Sequence, residues 1–448
     1  MGEGVKKKLL IIAYFFPPIG GAGAQRPTKF AKYLAKDGWD VTVLTKEQID
    51  EGNRWEPKDL SLFDDVDDEA GQISVIRIPE KGKTTGQFTI DPFESWALSA
   101  GKYTLELLDK DHFDAVFITM SPFSLTIAAE NIRKGSSVPV ILDLRDPWIL
   151  DGWTPQKTYL HWLLNYRKMS HALVNASGVV ANTEEAGKLF LENFEQLDEK
   201  KLCVIENGFD EEDFTSPLET SEGGAPKKTF TLMFSGSLCT QPKVNLSSPK
   251  DIVKHLLRYS PEKIDPSGRT LIHLLKAVEI LKSRNEPLAK ILKIECLGLA
   301  TEMDRESVEA SQVGNIVTFC GYIPHDQAVK KIRSADGLFL PLHGAASSCR
   351  SRIVPGKTYE YMATGLPILG CLPEGNAREL IGKYDGGFVT DPLNPEEIAD
   401  QLIELWQFSG SGKRTPEANN WIYTYERKTL TKKLAVFLKK IIQENSNE

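Results

Sequence analysis

At 448 residues the chain is too long for one ordinary core and suits two domains of roughly 200 residues each. Its 41% hydrophobic and 26% charged residues exclude a chain too polar to fold, and a formal net charge of −8 argues against a nucleic-acid partner held by a broad basic surface. The six cysteines, Cys203, Cys239, Cys296, Cys320, Cys349 and Cys371, never form a Cys-x-x-Cys pair, so neither a zinc site nor a thioredoxin-like motif is signalled and reduced core thiols are expected.

In chain order, residues 1–8 are basic, and the run "LLIIAYFF" after them superficially resembles a secretory signal. It stops after eight residues at Pro17 and Pro18, without a small-residue cleavage site, and reads instead as a first buried strand over 9–15. No stretch reaches the roughly 18 apolar residues that span a bilayer. A cytoplasmic protein is expected, with peripheral contact at the inner membrane face left open.

The Gly/Pro loop 17–23 ends the first strand. Phe30, Ala31, Leu34 and Ala35 then recur at helical spacing over 25–37, Gly38 stops the helix, and 41–45 resumes strand character, which makes a βαβ unit. Further strands are predicted at 74–78, 115–119, 138–142, 178–181 and 201–205, with intervals long enough for helices. Residues 1–214 therefore predict a doubly wound α/β domain. Asp64, Asp65, Asp67, Asp68 and Glu69 read as a solvated loop, because like charges so close resist packing.

Over 215–228, "TSPLETSEGGAPKK" loses apolar periodicity and reads as a linker. A second alternating series occupies 229–420: strand 229–234, helix 271–282, strand 291–297, helix 302–311, strand 316–320, helix 326–334, strand 337–341, helix 357–363 and strand 367–370. The connection 237–270 is long for a strand-to-helix loop and reads equally as a substrate-contacting segment or a surface insertion. In the tail, about 421–448, Leu430, Leu434, Phe437, Leu438 and Ile441 predict an amphipathic helix docked on the protein, packing back on the first domain.

Ligands of open parallel sheets bind beyond the carboxyl ends of the strands, so the loops there carry the candidate residues. The first is "PPIGGAGAQR", 17–26. Gly20 and Gly21 allow close backbone approach to a diphosphate at a helix amino terminus. Arg26 stands where a dinucleotide fingerprint needs a third glycine, which disfavours nicotinamide binding and offers a bidentate contact to phosphate or carboxylate. The loop "DLRDPW", 143–148, combines two carboxylates, a guanidinium and an indole. Asp146 and Arg145 are its candidates for orienting or deprotonating an acceptor hydroxyl, the alternative being an internal Arg145–Asp ion pair. In "PGKTYEYMATGLPILG", 355–370, a helix amino terminus and Lys357 suit a diphosphate, and Glu360 one turn on is able to accept two ribose hydroxyls. The seven histidines form no metal-ligand pattern, and neither G-x-S-x-G nor a P-loop is present.

The chain resembles the family 4 (group 1) retaining glycosyltransferases of the GT-B fold over nearly its whole length. The resemblance rests on Pro-Pro, Gly-Gly and "GWDVTVLT" within 14–45, "DLRDPW", "VVANTEEAGKLFLENF" at 179–194, "VIENGFDEEDF" at 204–214, "FSGSL", "VTFCGYIPHDQ" and "KTYEYMATGLPIL", in that order. It implies two Rossmann-like domains facing across a cleft, a nucleotide-diphosphate-sugar donor bound mainly by the second, and a glycan, lipid-linked or small-molecule acceptor bound mainly by the first. It also implies transfer with retention, and neither cofactor nor catalytic metal. By this resemblance Glu360 is the ribose-binding glutamate, and Gly20 and Gly21 face the donor phosphates. The family's first glutamate falls on Arg352, so the catalytic-centre contact there is changed. The family's basic pair falls near Ser237, with Lys243 slightly out of register and Lys357, Arg350 or Arg352 as compensating cations. Alternatives are a nucleotide-sugar epimerase of the same fold or a non-catalytic sugar-nucleotide-binding protein. Base, sugar and acceptor are not specified.

Overall fold

The structure, a computed structural model, describes residues 6–47, 58–66, 72–215, 229–241, 248–345, 350–410 and 416–446. Linker residues 216–228, Asp67, Asp68, Glu69, Cys349 and the candidate Lys243 lie outside the described residues. By contact the chain divides into two units: Met1–Asn207 with Lys254–Pro261 and Arg427–Glu448, and Gly208–Val253 with Glu262–Glu426.

The strands of the first unit are β1 (Lys8–Ile12), β2 (Asp40–Lys46), β3 (Ile73–Ile78), β4 (Ala115–Thr119), β5 (Val140–Leu144), β6 (Gly178–Ala181) and β7 (Leu202–Val204). Among the described residues they form one parallel sheet in the order β3-β2-β1-β4-β5-β6-β7. Side chains alternate along a strand, and β1 is apolar on both sides. Leu10 and Ile12 enter one core with Trp96, Ile118 and Leu142, while Leu9 and Ile11 enter another with Phe30, Phe117 and Leu434. Such a strand requires cover on both faces. Part of the second cover is the helix Arg427–Asn445, which buries Leu430, Leu434, Phe437, Leu438 and Ile441. Phe437 sits so close to Gly178 that a Cβ there would lie 3.0 Å from the ring, so β6 opens on the one residue that lets the ring reach the sheet.

Two expectations change here. Asp65 is not solvated: Lys29 and Lys32, on one side of the helix Ala22–Lys36, each approach it to 2.7 Å. Residues 208–214, predicted to close the first domain, group with the second unit, because Phe209 packs on Phe214 and Tyr423 there.

The strands of the second unit are β8 (Phe230–Ser235), β9 (Ile264–Asp265), β10 (Leu292–Leu297), β11 (Val317–Gly321), β12 (Gly337–Pro341), β13 (Gly344–Ala345), β14 (Ile368–Cys371) and β15 (Gly387–Thr390). The parallel sheet runs β11-β10-β8-β12-β14-β15, and β9 pairs with β13 separately and antiparallel. The main sheet repeats the order of the first six strands of the first unit, so each sheet reverses direction beside its first strand and has its ligand-binding switch point there. β15 and the helices Asn376–Lys383 and Pro395–Gly410 lie beyond the predicted series. The long connection after β8 is folded over its described residues into a helix, Pro249–Leu257, then β9 and a 3-10 turn, Pro266–Arg269. A Cβ on Gly268 would lie 2.7 Å from the Leu342 carbonyl oxygen, so this turn is pressed against the chain leaving β12.

Candidate active site

In the first unit the switch point lies between β1 and β4. Gly21, at φ 83°, turns the chain directly into the helix Ala22–Lys36, whose first turn carries neither a side-chain cap nor an acid. Its leading amides are thus available to an anion, and Gly20 and Gly21 stand where the sequence places them.

Arg26 does not. Its Nε and Nη2 donate to Asp143 at 2.7–3.2 Å, and its Nη1 and Nη2 donate to the carbonyls of Glu206 and Ile205. Arg26 is 3% exposed and Asp143 0%. Of the two bidentate contacts the sequence offers Arg26, to phosphate or to carboxylate, the one made here is to the first carboxylate of "DLRDPW", because one turn of helix places the guanidinium beside the end of β5. Asp143 also accepts from Thr119 Oγ1. These residues hold the fold, and Asp146 is left as the exposed carboxylate of the loop.

Arg145, by contrast, makes no ion pair among the described residues. It donates to the carbonyls of Ala22 (2.9 Å) and Gly23 (3.2 Å), bracing the glycine turn, while its Nε is buried without a partner. Burial pushes its guanidinium below the usual range, opposed chiefly by Asp146. Asn182 donates to the Arg145 carbonyl. Trp148 is held at φ 54°, uncommon for a bulky residue, and stacks on Phe123 with centroids 5.0 Å apart. The loop carrying Asp146 is thus held in a conformation that its own residues disfavour.

In the second unit the strand ends β8 and β10 close on each other. Gly236, at φ 122°, donates from its amide to the Leu297 carbonyl at 2.8 Å, and Gly298, at φ 121°, passes so near the Gly236 carbonyl that a Cβ would lie 2.4 Å from its oxygen. Ser237 follows directly, half-buried.

Into this corner the helix Gly356–Ala363 sends Lys357. Its Nζ lies 4.0 Å from the Phe234 ring centroid and 2.9 Å from where a Gly236 Cβ would be, and it is buried with no hydrogen-bond partner. Burial pushes the ammonium well below its usual range, Arg269 adds to this, and Glu360 opposes it. Arg269 is a candidate the sequence reading missed. It ends the 3-10 turn of the insertion, and its carbonyl accepts from the Cys239 amide at 3.0 Å. No motif marks it; only the fold of the insertion brings its charge to Lys357. His343 lies in the same field, and burial together with Arg269 lowers its pKa to about 4.

The other proposed cations are engaged. Arg352 forms an ion pair with Glu262 from the insertion, and Arg350 pairs with Glu379. Their carboxylate partners come from the insertion and from the helix Asn376–Lys383. Glu360 remains partly exposed one turn from Lys357, and the neighbouring Tyr361 hydroxyl accepts from the Ser235 amide at 2.7 Å, tying the helix to the end of β8.

Among the described residues no group of three or more His, Cys, Asp or Glu converges as metal ligands would. A cavity of about 580 Å³ lined by Phe88, Ile127, Arg133, Arg167 and Val140 lies against the amino-terminal half of β5, away from the strand ends that carry the candidate residues.

Residues 24–213 match the family described as Glycosyltransferase Family 4, and residues 268–407 match Glycosyl transferases group 1. The chain belongs to these glycosyltransferases. Its fold is GT-B, with two Rossmann-like domains. Sucrose-phosphate synthase from Thermosynechococcus elongatus is similar at TM-score 0.64 and 12% identity, over 98% of this chain and 100% of that one. WaaG, a glycosyltransferase involved in lipopolysaccharide biosynthesis, is similar at 0.57 and 14%, over 96% and 99%. The UDP-N-acetylglucosamine 2-epimerase from Rickettsia bellii is similar at 0.50 and 13%, over 98% of each chain. At these identities the likeness to the glycosyltransferase is one of fold. No curated protein sequence matches it.

Proposed function

We propose that this glycosyltransferase takes a hexosyl group from a nucleotide-diphosphate-sugar, retains the anomeric configuration and needs no metal ion. The observation that carries the reading is Lys357: a buried ammonium without a hydrogen-bond partner, at the carboxyl end of β8 and in the field of Arg269. A cation desolvated in this way is unfavourable until an anion fills the space beside it. A diphosphate suits it in charge.

Glu360, on the same helix, is the acceptor for the ribose hydroxyls. As the bond from the sugar to phosphate breaks, negative charge grows on the departing diphosphate. Lys357, Arg269 and the amino-terminal amides of the helix Gly356–Ala363 stabilise it without reorganising. The departing phosphate receives the acceptor's proton. Asp146, exposed on its strained loop, is the carboxylate that orients the acceptor in the first domain.

The test is incubation of the purified protein with UDP-, GDP-, ADP- and dTDP-sugars, following thermal stability and donor hydrolysis. A binding donor at 100 times its Kd adds about 2.7 kcal/mol. A response to one nucleotide family that disappears in Lys357→Ala supports the reading. A changed sugar still attached to its nucleotide would identify an epimerase instead, and silence across the panel would leave a non-catalytic protein.

A further inference from the structure

The insertion after β8 contains the helix Pro249–Leu257, none of whose residues is buried. Ile252, Val253, Leu256 and Leu257 share one face, and Leu256 is 76% exposed. Lys250, Lys254 and Arg258, spaced one turn apart, form an exposed basic stripe along its edge. A nine-residue helix that buries nothing draws almost no stability from packing and is marginal in water by itself.

It is nevertheless held at both ends. Ser248 exchanges hydrogen bonds with Asp251 at the start. Beyond the other end, Tyr259 pairs its backbone with Gln156 at 2.8 and 3.0 Å and packs its ring on Tyr159 and Trp162. At that anchor Tyr159 and Leu160 are themselves about half exposed, and Lys157 stands exposed beside them. Apolar side chains and a run of cations therefore face solvent together, on a chain whose net charge is −8.

We propose that the helix Pro249–Leu257, with Tyr159 and Leu160 at its anchor, is a docking surface for an anionic lipid bilayer. The four aliphatic side chains enter the headgroup boundary while Lys250, Lys254, Arg258 and Lys157 meet lipid phosphates. This is the division of labour of an interfacial amphipathic helix. Charge selects this occupant: two copies of the chain meeting through this face would oppose their basic stripes, whereas an anionic surface neutralises them. The surface lies outside the donor site, and its role does not depend on the donor assignment.

The experiment is co-sedimentation of the full chain with vesicles of phosphatidylcholine alone and of phosphatidylcholine with phosphatidylglycerol, at low and physiological salt. Binding is expected only to the anionic vesicles, weakening as salt rises. Leu256→Ser with Leu257→Ser should abolish most of it, and Lys254→Glu should lower the partition coefficient by at least about fivefold. Circular dichroism should show both variants folded, and their thermal response to nucleotide should match the parent protein. Equal recovery with neutral and anionic vesicles, no recovery with either, or variants that bind like the parent would overturn the proposal. So would a dimer by sedimentation velocity that these variants dissociate, since a second copy would then be the occupant.

Discussion

Lys357 and Arg26 show how differently one charge behaves when its partner is supplied or withheld. Arg26 is saturated by Asp143 and two carbonyls. Arg26→Ala should lower stability by ~3–5 kcal/mol in urea unfolding, because it strands a buried carboxylate. Arg26→Leu combined with Asp143→Leu should recover much of that loss, which a ligand-binding role for Arg26 would not produce. Lys357 behaves in the opposite way. Its folded pKa is depressed from 10.5 by burial, so between that lowered value and 10.5 the unfolded chain binds more protons than the folded one. Ligand-free stability should therefore rise with pH through that window. Lys357→Met should flatten the rise and stabilise the ligand-free protein, while lowering kcat/KM by ~10²–10³-fold. Binding of a nucleotide diphosphate should take up protons at pH values above the depressed pKa, measurable by calorimetry in buffers of different ionisation enthalpy.

At the scale of elements, the corner around Lys357 is built from strand ends that meet only through glycine. A Cβ on Gly298 would meet the Gly236 carbonyl oxygen at 2.4 Å, at a φ of 121° that other residues rarely adopt. Gly298→Ala should cost ~2 kcal/mol or more in thermal unfolding. Gly236→Ala meets the Lys357 ammonium instead of backbone. Its φ of 122° still strains an alanine, so Gly236→Ala should cost stability too, and unlike Gly298→Ala it should also raise donor KM, because the lysine's flexible end moves and its placement is lost. The insertion reaches the same region through two residues that a motif search does not connect: Arg269, which shares its field with Lys357, and Glu262, which holds Arg352. Within 237–270 the end thus brings the Arg269 charge to Lys357, and the helix Pro249–Leu257 faces solvent.

For the whole molecule, the helix Arg427–Asn445 is part of the first unit although more than 200 residues separate it from the rest of that unit's sheet strands. It contributes Leu430, Leu434, Phe437, Leu438, Ile441 and Ile442 to the second core. At ~1.5–3 kcal/mol for each buried side chain, their removal rivals the ~5–15 kcal/mol by which a domain is stable. Truncation before Arg427 should give a protein that fails to show cooperative unfolding or aggregates on expression.

The sequence alone determined the two doubly wound sheets, since apolar strands at regular intervals with helical periods between them admit few other architectures. The family followed from seven ordered motifs, and the candidate helix 357–363 was placed to within one residue of Gly356–Ala363. Only the tertiary structure decided which charges are free to act. Arg26, Arg350 and Arg352 looked like donor contacts in one dimension, yet each meets a carboxylate brought from at least 29 residues away. Arg269 looked like an ordinary loop residue and stands in the field of the buried lysine. Spacing reports which residues share a local face, but whether a charge is neutralised depends on groups from distant elements, and that pairing exists only once the sheets have formed.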